Sequence, residues 1–277
     1  MRLVNLTLIL VMLVADGGNH GYIPEATTSP RAPISVFEDS FETETNWQIF
    51  EEIVGGSSCY GSGIGSVTRS TDVAYDGLYS LLVWSNQALS PKSNHVIGYK
   101  LYSDFGQQGI WRFEVHAYIS PTTASTGQTG PEFSMQNTRP TATNSFSTSI
   151  AGIQYIANPY WETAQWKVWD NGSWTTFMTH TLQSGLWYTL TLEANFSNNT
   201  YESFSVQGAG SDLLVDLSSY HIAEESRGFG EAFVISLESE NLWNNCGTAG
   251  NFEYKVYYDK VTLIQDVARV FLPMIMK

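Results

Sequence analysis

The chain of 277 residues carries 13 basic against 27 acidic side chains, a formal net charge of −14, and only 14% of its residues are charged. So acidic a surface repels a phosphate backbone, which argues against nucleic acid as a partner. With 43% hydrophobic and 14% aromatic residues the chain can bury a large core, although length alone does not choose between one all-β domain and two smaller ones.

Taken from the N-terminus, Arg2 is followed by an apolar run from Leu3 to Ala15, too short to span a bilayer comfortably. Residues 1–15 therefore read as a secretory signal peptide, which predicts a secreted or cell-surface protein. Residues 16–33, with Pro24, Pro30 and Pro33 among Thr and Ser, read as a flexible leader. Cys59 and Cys246 are the only two cysteines, and in an exported chain they are expected to form a disulfide across a very long loop. Beyond the leader, alternating aromatic and β-branched segments predict strands near 36–42, 66–70, 79–85, 95–102, 110–119, 131–137, 149–156, 164–169, 173–178, 187–195, 202–206, 232–238 and 253–263. Asn171-Gly172 between two tryptophan-bearing segments is a strong hairpin signal, and Asn198-Asn199 marks a second turn. The polar stretch 120–130 reads as a long loop, but strong strands continue on both sides of it. One folded domain over 34–265 is expected, followed by a short tail over 266–277. That tail ends Val270-Phe271-Leu272-Pro273-Met274-Ile275-Met276-Lys277; it is too short to cross a membrane and is a candidate contact for a surface-protein partner.

The opening Val36-Phe37-Glu38-Asp39-Ser40-Phe41-Glu42 and the closing Tyr257-Tyr258-Asp259-Lys260-Val261-Thr262-Leu263 resemble the first edge segment and returning terminal strand of the concanavalin A-like lectin/glucanase superfamily, laminin-G-like jelly rolls included. Gln165–Trp174 is similar to its central hairpin, and Gly185-Leu186-Trp187-Tyr188-Thr189-Leu190 to the strand that follows. The resemblance implies an all-β, antiparallel jelly-roll β-sandwich and, because such folds host lectins, glycosidases, lyases and adhesins, no single function. It also implies a structural calcium ion stapling the terminal strands, for which Glu38, Glu42 and Asp259 are the candidate ligands.

The run 111–119 is two-faced. Trp111, Phe113, Val115, Ala117 and Ile119 share one parity, and Arg112, Glu114, His116 and Tyr118 share the other. Glu132, Ser134 and Gln136 alternate in the same way with Phe133 and Met135. If the two segments pair side by side, one polar patch crosses neighbouring strands and continues through Gln154 to Gln165, Lys167 and Trp169. Amides and carboxylates for sugar hydroxyls, with an indole for the apolar face of a pyranose, are the two interactions that a glycan site needs. Binding of an extracellular polysaccharide or glycan without cleavage is the leading expectation. Cleavage by a glycoside hydrolase or lyase is the alternative, with Glu114 and Glu132, or His116 and Tyr118, in proton transfer. A structural or adhesive surface protein is the third reading. Glu238 and Glu240 are set aside, Glu240 being expected in a loop. The five histidines show no metal-ligand spacing.

Overall fold

The computed structural model describes residues 34–44, 46–54, 64–86, 93–102, 108–121, 128–141, 145–157, 163–226, 231–241 and 253–266. The expected signal peptide, leader and disulfide (Cys59, Cys246), and the tail beyond Asp266, lie outside these residues. The described residues form sixteen strands in two antiparallel sheets.

The first sheet runs β13 (Ser211–Asp216), β12 (Thr200–Gly208), β11 (Trp187–Asn195), β6 (Ile110–Ile119), β16 (Glu253–Asp266), β4 (Ser80–Asn86) and β3 (Ile64–Ser70), with β1 (Ile34–Asp39) also pairing to β16. The second runs β10 (Ser173–Thr179), β9 (Gln165–Asp170), β8 (Phe146–Ala157), β7 (Gln128–Pro140), β15 (Ala232–Asn241), β5 (Ser93–Tyr102) and β2 (Gln48–Val54), with β14 (Ala223–Ser226) pairing to β8. Every predicted strand is present. The opening and closing segments lie side by side as the resemblance implied, with Phe37 opposite Leu263 and Asp39 opposite Val261. Three strands were not expected: β2, β13 and the short β14. The β9–β10 hairpin lies at one end of its sheet, not at its centre.

Alternation fixes which face is buried. On β6, Trp111, Phe113, Val115, Ala117 and Ile119 turn inward, and on β7, β9 and β15 so do Phe133, Met135, Trp166, Val168, Phe233, Ile235 and Leu237. The inward rows meet ring to ring, Trp111 stacking on Phe233 with centroids 4.6 Å apart and Phe113 meeting Phe133 edge-on at 5.5 Å. Burial of this apolar surface holds the two sheets face to face.

Two tyrosines carry polar contacts through that core. Tyr258 of β16 reaches the second sheet, where its hydroxyl accepts the Glu132 N–H (3.1 Å) and donates to the Glu238 carbonyl (2.6 Å). The Tyr201 hydroxyl of β12 accepts the Gly152 N–H (3.1 Å) and donates to the Trp169 carbonyl (2.8 Å). A buried phenol needs such partners, and here they are backbone groups of the opposite sheet.

Candidate functional site

The outer face of the second sheet carries a connected constellation of polar side chains. Glu132 on β7 lies opposite Glu238 on β15 and Gln154 on β8, while Gln154 lies opposite Lys167 on β9. His95 on β5 lies opposite Glu240. Glu240 shares the face of Glu238 by its i, i+2 spacing on β15, and beside Thr129 β7 shifts register against both neighbours.

The side chains are joined. His95 Nε2 is 2.6 Å from Glu238 Oε2 and 4.0 Å from Glu132 Oε1. Gln154 donates to Glu132 Oε2 at 2.9 Å. A row of hydrogen bonds reaches Glu238 from the other side: Gln136 donates to Ser134 (3.4 Å), Ser134 pairs with Ser236 (2.6 Å), and Ser236 donates to Glu238 Oε1. Although they belong to an outer face, Glu132, Glu238 and Glu240 are each only 5% exposed. Burial, and then the negative charge of Glu238, hold the Glu132 carboxyl well above the ordinary carboxylate range.

At the other end of this face stands an aromatic pair. Trp169 and Trp174 face each other across the β9–β10 hairpin, their rings edge to face with centroids 5.2 Å apart. Gly152 lies beneath them, where a Cβ would stand 3.4 Å from the Trp174 ring and 3.7 Å from Trp169 Cβ, ordinary contact distances. Lys167 and Gln154 stand between the indoles and the carboxylates.

Of the residues expected to form one patch, Glu132, Gln136, Gln165, Lys167 and Trp169 share this face. Arg112, Glu114, His116 and Tyr118 do not. The expected pairing of 111–119 with 131–137 does not occur, because the chain crosses from the first sheet to the second between β6 and β7. The flanks of β6 are β11 and β16 instead, so its polar residues line the far side of the sandwich. There Arg112 pairs with Glu193 (2.6 Å), Glu114 accepts from Thr191 (3.3 Å), and His116 contacts Thr189 (3.1 Å) beneath the ring of Tyr75. Tyr118 packs against Trp187 and Tyr257.

The carboxylates expected to hold calcium are engaged with the chain itself. Glu42 Oε1 accepts the Leu78 and Tyr79 N–H groups, and Asp259 accepts those of Tyr75, Asp76 and Lys260. Glu42 and Asp259 thus face one turn, residues 75–79, near enough for the Glu42 charge to act on Asp259, while Glu38 is engaged with Ser35. A separate group, His95, Glu132 and Glu238, has ligand atoms that all lie within 4.8 Å of one another.

Sequence reading did not bring His95 to the site and set Glu238 and Glu240 aside. Glu240 lies on β15, not in a loop, and shares its outward parity with Glu238 and Ser236. The i, i+2 spacing of the two glutamates was the available signal.

By sequence the chain matches no family model and no curated protein. By structure it resembles an endo-β-1,4-glucuronan lyase from the fungus Trichoderma reesei, with a TM-score of 0.50, 14% identity, and coverage of 83% of this chain and 95% of that one. The cellulose-induced protein Cip1 (TM-score 0.47, 13% identity, 82% and 96% covered) and a pseudo β-1,3-glucanase of Mycobacterium tuberculosis (0.45, 13%, 83% and 98%) lie somewhat further off. In strand order, layer pairing and the return of its last strand beside its first, the chain has the concanavalin A-like jelly-roll fold.

Proposed function

We propose that the outer face of the second sheet binds an extracellular glycan and holds it without cleaving it, and that the protein is exported. The carrying observation is the Trp169–Trp174 pair over Gly152, followed along the same face by Lys167, Gln154 and Gln136. Indole faces take the C–H side of pyranose rings, while amides and an ammonium take the hydroxyls. The recessed carboxylates are already bound to His95, Gln154 and Ser236, which supports a holding role for them. The lyase whose fold is shared is named for a polysaccharide, in keeping with a glycan on this scaffold.

The test is retention of the purified chain on a panel of neutral and acidic polysaccharides, with product size followed in the same samples. Trp169→Ala should weaken retention at least tenfold, about 1.4 kcal/mol, while Arg112→Ala, on the opposite face, should leave it unchanged. Equal retention by wild type and Trp169→Ala would remove the stacking role. Cleavage is the second reading, favoured by the approach of Glu132 and Glu238 within 4.8 Å. That is closer than the roughly 6.5–9.5 Å kept by inverting glycosidases. It requires shortened products that Glu132→Gln abolishes.

A further inference from the structure

We infer that His95, Glu132 and Glu238 form a binding site for a divalent first-row transition ion of the zinc type. The inference stands on these three side chains and does not depend on the glycan reading.

One imidazole nitrogen and two carboxylate oxygens lie within 4.8 Å of one another on three adjacent strands, β5, β15 and β7. Zinc bonds of roughly 2.0–2.2 Å place tetrahedral ligands about 3.4 Å apart. The 2.6 Å His95–Glu238 approach would open by less than ~1 Å and the 4.0 Å His95–Glu132 approach would close by a similar amount, within the reach of side-chain rotation alone. Glu132 is 5% exposed. Gln154 fixes its Oε2, which leaves Oε1 aimed towards His95 Nε2 at 4.0 Å, beyond hydrogen-bond distance and open to an ion between them.

The surroundings suit ligands held by a second layer of contacts. Gln154 orients Glu132, Ser236 orients Glu238, and Tyr258 fixes the backbone beneath both from the core. With both carboxylates ionised at a metal, a dipositive ion offsets the repulsion between Glu132 and Glu238. A nitrogen ligand and a ligand count of three argue against calcium, which takes six to eight oxygens. Three protein ligands also leave a coordination position open towards the face.

The experiment uses the untagged full chain, stripped with chelator and dialysed, then titrated separately with zinc, manganese and calcium chlorides by calorimetry and thermal melting. One zinc per chain is expected, with a Tm rise of about 5–10 °C at a hundredfold excess over Kd, and weaker calcium binding. His95→Ala and Glu238→Gln should each weaken zinc at least tenfold, while His221→Ala should not. Cobalt(II) should give a visible d–d spectrum that His95→Ala abolishes, with circular dichroism confirming that each variant is folded. Failure to bind zinc, zinc binding unchanged in both folded variants, or calcium binding tighter than zinc would each overturn the assignment.

Discussion

His116 shows how one side chain's surroundings set its chemistry. The ring lies 3.8 Å from that of Tyr75, contacts Thr189, and has Lys260, Asp259 and Glu114 on the strands around it. Burial, and then the Lys260 charge, lower its pKa from 6.5 to about 4. The unfolded chain therefore takes a proton that the folded chain refuses, so stability falls as pH drops through the interval from 6.5 to 4 and is unaffected above it. His116→Phe, which keeps a ring under Tyr75, should flatten the pH dependence of urea unfolding between pH 7.5 and 4.5. A profile identical to that of wild type would show that this imidazole does not contribute. The sequence placed His116 correctly on the outward parity of its strand. It could not show that Tyr75, far away in the chain, covers it.

At the scale of elements, local chemistry was legible and strand order was not. Asn171 and Gly172 adopt φ of 50° and 84°, the left-handed pair that a two-residue hairpin needs, as their sequence predicted. No atom lies within 4 Å of a Cβ placed on Gly172, so Gly172→Ala tests conformation without steric clash. It should cost about 1 kcal/mol in denaturant unfolding, and a neutral result would mean that the turn relaxes. In contrast, nothing in 111–137 announces that the chain changes sheets between β6 and β7. Alternation defines the two faces of a strand but not its neighbours, and the composite patch failed for that reason. The same limit hid His95, which joins Glu132 and Glu238 only because β15 inserts between β5 and β7.

For the whole molecule, the core does more than exclude water. Its two tyrosine hydroxyls meet the second sheet from beneath, Tyr258 under the Glu132–Glu238 end of the outer face and Tyr201 under the Trp169 end. Tyr258→Phe leaves the Glu132 N–H and the Glu238 carbonyl without this buried partner and should cost about 1–3 kcal/mol of stability. A loss below ~0.3 kcal/mol would show that other groups take over these contacts. The inner layer also bears on timescale. The amide protons of Glu132 and Gly152 point into the core, so their exchange with heavy water should require the two layers to part. They should exchange at the slow, globally limited rate even though their side chains face outward. A ligand on that face should slow them only by as much as it stabilises the whole fold, making these two protons an internal clock for occupancy.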